Sequence, residues 1–193
     1  MSTDLIKDLR AKTGAGMNDC HRALKENDND FDKSLQWLRK KGEKIATKKQ
    51  SREIKEGLID AYIHPGGKVG VLLELGCETD FVAKTDDFKA LAHEIALQIA
   101  ATSPEYLSPE DVPADVIAKE KEVYADQLKK EGKPEEMLEK IMIGKLNKFY
   151  SDVCLLKQVY IKDDKVTIEK LLTESIAKIG ENIKIHQFSR FSL

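Results

Sequence analysis

Short apolar runs at helical spacing open the chain. Leu5, Ile6 and Leu9 share one face behind a cap at Ser2 or Thr3. "TGAG" (13–16) ends that helix, because its two glycines permit positive φ. Met17, Cys20 and Leu24 mark a second helix over "MNDCHRALKE". "NDND" (27–30) supplies a turn and the cap of a third helix, "FDKSLQWLRKKG". Phe31, Leu35 and Leu38 point inward there, and Gly42 is its expected stop. A polar linking helix over 44–56 is expected next, so residues 1–43 read as a three-helix module.

The period then changes. "GLIDAYIH" alternates, with Leu58, Asp60 and Tyr62 on one face and Ile59, Ala61 and Ile63 on the other. "PGG" (65–67) turns the chain, and "KVGVLLEL" returns with Val69, Val71, Leu73 and Leu75 aligned. Thr85 caps a helix whose stripe is Phe88, Leu91, Ala92, Ile95 and Ile99. "SPED" (108–111) is a second cap signature, for a charged helix ending near Lys130. "GKP" (132–134) separates it from a helix carrying Leu138, Ile141, Met142, Phe149 and Val153. "LLKQVYIKDDK" reads as an extended segment ending in a turn. Ile168, Leu171, Leu172, Ile176 and Ile179 mark a last helix stopped by Gly180. "NIKIHQFSRF" closes as a strand whose inward set switches between Ile185 and Phe188, the mark of a bulge. The predicted class is α+β, with a core over 57–193 of a small antiparallel β-sheet packed with helices.

Composition narrows the setting. The 193 residues are 41% hydrophobic and 34% charged, as in a soluble globular protein. The net charge of −2 hides an asymmetry, +5 over residues 1–55 and −7 over the remainder. No apolar run reaches the roughly 20 residues that span a bilayer, and "MSTDLIKDLR" lacks a secretory h-region. Cys20, Cys77 and Cys154 are odd in number and far apart, which suits free thiols in a cytoplasmic setting.

Candidate chemistry is sparse. No phosphate-loop, dinucleotide or nucleophile-elbow pattern occurs. His21, His64, His93 and His186 form no ligand pairs at zinc spacing, Cys20 reads as core, and His64 and His93 read as solvated. Asp86 and Asp87 suit a helix start. No catalytic residue, metal or cofactor is expected. The basic run from Arg39 to Lys55 has no interleaved aromatics, so it reads as a solvated face and not as a specific nucleic-acid reader. There remains "ELGCETDFVAKTDDF" (74–88), which sets Asp80 and Phe81 between a strand and a capped helix. On pattern alone Phe81 packs under the hairpin as core. Left exposed, it would be a contact hot spot on a rigid mount.

Those residues resemble the elongation factor Ts family, exchange factors of the translation GTPase elongation factor Tu. "LRAKTGAGMNDC" (9–20), "LRKKG" (38–42), "CETDFVAKTDDF" (77–88), "EGKPEEMLEKI" (131–141), "LLKQVYIKDD" (155–164) and "AKIGENIKI" (177–185) match its blocks in order. The resemblance implies a UBA-like N-terminal module and no covalent chemistry. It implies that Asp80 and Phe81, flanked by Thr79 and Val82, enter the partner and disturb its phosphate and magnesium site. Arg10 and Met17 match docking positions of the helical module, and Ile179 and Gly180 match a second contact segment. Asn18 stands where the family commonly has Met, and His21 and Arg22 replace commoner lysines. The length resembles the short form of the family, with one core unit, whose members are homodimers. "FSRFSL" has no cysteine, so the implied dimer is non-covalent. No membrane and no specific nucleic acid are expected as partners.

Overall fold

The computed structural model describes residues 3–130 and 135–193. Its N-terminal helices are α1 (Thr3–Thr13), α2 (Met17–Glu26) and α3 (Phe31–Lys49). The expected cap at Ser2 lies outside the described residues, and Thr3 is already helical. Leu9, Cys20, Ala23, Leu24, Leu35 and Leu38 form their shared buried cluster. Asp30 caps α3 by accepting the Lys33 N–H at 2.9 Å. Of the two glycines in the first break, only Gly14 uses positive φ, at 66°. Gly16 is the N-cap of α2, at φ −61°.

Gly42 does not stop the third helix. α3 continues to Lys49, so a separate linking helix over 44–56 does not exist, and residues 53–55 are irregular. The glycine serves a close approach instead. A Cβ built on it would lie 3.2 Å from the Ala177 Cβ. Contact with a neighbouring helix offsets a propensity cost of about 1 kcal/mol.

The rest of the chain runs β1 (Glu56–Ile63), β2 (Val69–Cys77), α4 (Asp80–Ala83), α5 (Asp86–Thr102), α6 (Ala114–Lys130), α7 (Glu135–Val153), β3 (Val159–Tyr160), β4 (Asp163–Thr167), α8 (Ile168–Ile179) and β5 (Lys184–Ser192). The main sheet has the order β1-β2-β5 and is antiparallel throughout. Its first turn places Gly66 and Gly67 at φ 98° and 69°. Val71, Leu73, Leu75 and Ile185 are buried with Phe88, Ala92, Ile95 and Ile99 of α5 and with Leu172 and Ile176 of α8. The bulge expected in the last strand is present: Glu74 opposes Gln187 while Leu75 opposes Ile185, leaving His186 as the extra residue. Among the described residues, nothing covers the sheet's other face. Ile59, Ile63, Leu72 and Phe191 are exposed there, and the register puts Ile63 opposite Gly70 and Gly70 opposite Phe191.

Two expectations need correction. Ser108 and Asp111 do form a capping box, but around a three-residue 3-10 turn, Pro109–Asp111. The helix itself starts at Ala114, after Pro113. "LLKQVYIKDDK" is a 3-10 turn (Leu155–Lys157) followed by a second small hairpin, β3–β4. Two-residue strands carry no readable period. A buried side chain organises this hairpin: Gln98 donates to the Val159 carbonyl at 3.1 Å and accepts from the Ile161 N–H at 2.9 Å. "GKP" (132–134) lies outside the described residues. No helix among the described residues is long and apolar enough to cross a membrane.

Replacing Gly42 with Leu is expected to lower stability by about 1–3 kcal/mol through overpacking against α8. Urea unfolding checks this, and an unchanged midpoint would contradict a tight α3–α8 contact. Gln98→Leu is expected to cost about 1–3 kcal/mol by orphaning the hairpin's backbone groups. The same unfolding measurement reads it.

Candidate partner-binding site

β2 ends at Cys77 because the next residues turn their backbone groups to other partners. The buried Cys77 thiol donates to the Thr79 carbonyl, two residues on, at 3.1 Å. Burial, with the Glu181 carboxylate nearby, pushes that thiol up to about 11. Thr79 is the N-cap of α4, its hydroxyl receiving the Val82 N–H at 3.4 Å. After one short turn, Thr85 caps α5 in the same way, accepting from the Phe88 N–H at 3.3 Å. Asp86 and Asp87 occupy the first turn of α5, where the helix dipole favours acids.

Between the two caps lies the four-residue helix Asp80–Ala83. Ala83 is buried against the core and Val82 packs against it in part, so the turn sits down on one side only. Phe81 projects from the other side and is 79% exposed. The core reading of Phe81 is therefore wrong. Its inward neighbours already fill the space that the aromatic would take. Asp80 is held in place by Lys84 one turn on, at 2.6 Å. The Lys84 ammonium lowers the Asp80 carboxyl below its usual range.

The C-terminal end of α8 meets this turn. Gly180, at φ 89°, ends the helix in the left-handed conformation. The Lys49 ammonium donates to the Gly180 carbonyl, tying the end of α3 to the same corner. Ile179 is half-buried on the main core. The next residue, Glu181, accepts the Glu78 N–H at 3.1 Å, the Thr79 N–H at 3.0 Å and the Thr79 hydroxyl at 2.7 Å. In return the Glu78 carboxylate accepts the Asn182 N–H at 2.6 Å and faces Arg52 at 3.3 Å. Burial alone would raise the Glu78 carboxyl, but the Asn182 N–H and the Arg52 guanidinium outweigh it and hold it low. Asn182 also donates to the Arg52 carbonyl at 2.9 Å.

Thr79 to Val82 and Ile179–Gly180 are thus brought together, although about a hundred residues separate them. Arg10 and Met17 stand apart, exposed on the N-terminal helices, with Asn18 exposed beside Met17. That module still rests on the same corner. A Cβ at Gly14 would come within 2.9 Å of the Lys178 stem. The Lys178 ammonium continues to Asp87 at 2.8 Å. Sequence reasoning missed Glu78, Glu181 and Asn182. One signal could have found Glu181: an acid just past a helix C-terminus is unfavourable unless donors hold it.

Cys20 and Cys154 are buried, and desolvation raises both thiols. His93 faces Asp60 at 3.4 Å and Tyr62 edge-on, and His64 bonds the Tyr62 hydroxyl at 2.9 Å. Among the described residues, no group of three or more His, Cys, Asp or Glu is placed to hold a metal ion. The arrangement suits docking: an exposed aromatic on a short turn that two capped elements and a carboxylate clasp keep in place.

The family model described as elongation factor TS matches residues 2–193. A protein of Fervidobacterium nodosum named elongation factor Ts is 55% identical over 193 residues, 100% of this chain and 98% of that protein. One of Carboxydothermus hydrogenoformans, with the same name, is 53% identical over 100% of this chain and 89% of its own length. With one family model covering nearly every residue and full-length relatives above half identity, the chain belongs to the elongation factor Ts family.

Proposed function

We propose that this protein is a translation elongation factor that promotes GDP release from elongation factor Tu. It acts in the cytoplasm, by binding alone and without covalent chemistry. Family membership supports the activity. The observation that carries the mechanism is Phe81, 79% exposed on a mount fixed from both sides. A phenylalanine offers large contact area with two rotatable bonds, so little entropy is lost when it docks.

In this reading Phe81 wedges into the GTPase domain and Asp80 makes the adjoining polar contact. The Asp80–Lys84 pair is a surface pair and is readily exchanged for a partner contact. Thr79 and Val82 frame the wedge, and Ile179 and Gly180 provide a second contact beside it. Arg10 and Met17 dock the N-terminal module on the same domain. The partner holds GDP through backbone donors and a magnesium ion that demands near-octahedral geometry. A small displacement of those groups therefore weakens nucleotide binding. By linkage, the factor must bind the nucleotide-free partner better than the loaded one.

The factor is further proposed to work as a non-covalent homodimer. The apolar outer face of the main sheet supports this, since Ile59, Ile63, Leu72 and Phe191 lie on it exposed and a second copy would cover them.

Purified protein is expected to accelerate release of labelled GDP from elongation factor Tu. Phe81→Ala should reduce that stimulation roughly tenfold or more, without moving the thermal unfolding midpoint. Full stimulation by the variant would sink the wedge. Light scattering should give twice the chain mass of 21.8 kDa, and Leu72→Glu should give the single mass. A wild-type protein that scatters as one chain rejects the dimer.

A further inference from the structure

A four-residue helix cannot hold itself. α4 contains few internal bonds, such as Lys84 N–H to the Asp80 carbonyl at 3.2 Å, and helix nucleation is unfavourable at that length. Its outer side carries the exposed Phe81, so packing restrains only one side. Something must fix the direction in which the aromatic leaves the core.

The chain segment entering α4 presents three donors together: the Glu78 N–H, the Thr79 N–H and the Thr79 hydroxyl. All three converge on the single carboxylate of Glu181, at 3.1, 3.0 and 2.7 Å. Because the Thr79 hydroxyl donates its proton to Glu181, its lone pair is left for the Val82 N–H inside α4. The cap of the short helix is thus oriented by a residue 102 positions away. The opposite half of the clasp, Glu78 to the Asn182 N–H, keeps Glu181 from swinging off with its own loop.

We infer that Glu181 is the positioning residue of the Asp80–Phe81 segment: it sets the entry of α4 and, through the Thr79 hydroxyl, the direction of Phe81. This rests on the exchange activity proposed above. Reach is what the role requires, because the acceptor atoms must arrive at three donors at once. Net charge is secondary. Glutamine has the same reach and a carbonyl oxygen for the two N–H groups; its amide donates to one of the two lone pairs of the Thr79 oxygen, leaving the other for the Val82 N–H. Aspartate keeps the charge and is one methylene too short.

The test compares Glu181→Gln, Glu181→Asp and Glu181→Ala with wild type in the GDP-release assay, with amide hydrogen exchange measured on the same proteins. Glu181→Gln is expected to stay within roughly threefold of wild type, while Asp and Ala fall roughly tenfold or more, as loss of several hydrogen bonds at once implies. In the impaired variants the Glu78 and Thr79 amides should lose protection, while those of α5 keep theirs. Wild-type stimulation by Glu181→Ala would overturn the inference. So would an active Asp variant beside an inactive Gln variant, since charge would then be the requirement. Should the Ala variant not fold, the Gln and Asp pair decides alone. A wild-type protein without stimulation would defeat the exchange reading, and the amide-protection pattern would still support or overturn the clasp.

Discussion

A three-stranded sheet has to be sealed on its inward face, and the seal is where this molecule is built. Val71, Leu73 and Leu75 of β2 bury their side chains against α5 and α8. Each such side chain contributes about 1.5–3 kcal/mol when fully buried. Because β2 is the central strand, its end point and direction are fixed by pairing on both sides. Because α5 must cover β2, the chain has to reverse within the few residues from Glu78 to Thr85. That reversal is the joint that carries Asp80 and Phe81. Its exposure follows from the need to close the core with as short a connection as the two caps allow.

The joint is further restrained by a reciprocal pair of carboxylates. Glu78 and Glu181 each accept backbone donors from the other's segment. Here the N–H groups, the Thr79 hydroxyl and Arg52 provide the compensating positive ends. Hydrogen bonds to charged groups are among the stronger ones in proteins, about 1.5–3 kcal/mol. The free energy of the clasp is therefore placed where the Asp80–Phe81 joint leaves the core.

The N-terminal helices reach the same corner by a different route. The small residues Gly42 and Ala177 let α3 lie close to α8. Lys49 then closes on the Gly180 carbonyl, and Lys178 runs beneath Gly14 to Asp87. Three separate parts of the chain thus share the end of α8. A displacement of the helical module would be felt at Gly180 and at the start of α5, beside the joint.

Local rules settled a large part of this protein. The caps at Asp30 and Thr85, the stop at Gly180, the turn at Gly66–Gly67 and the bulge beside Ile185 all depend on residues near in sequence. So does the inward face of β2, with Val71, Leu73 and Leu75 aligned. Ordered motifs also made the family legible. Period could not decide Gly42, because a glycine that ends a helix and one that admits a neighbouring helix look alike along the chain. It could not decide Phe81 either, since whether an aromatic is core depends on whether Ala83 and Phe88 have already filled the interior. Glu181 was the least legible, because its three partners lie about a hundred residues away and only the folded chain brings them to it. The sequence by itself determined the elements and their caps, which depend on local dihedrals and side-chain spacing. Only the tertiary structure decided which residues stay exposed at the joint, because exposure is what remains after distant elements have competed for the core.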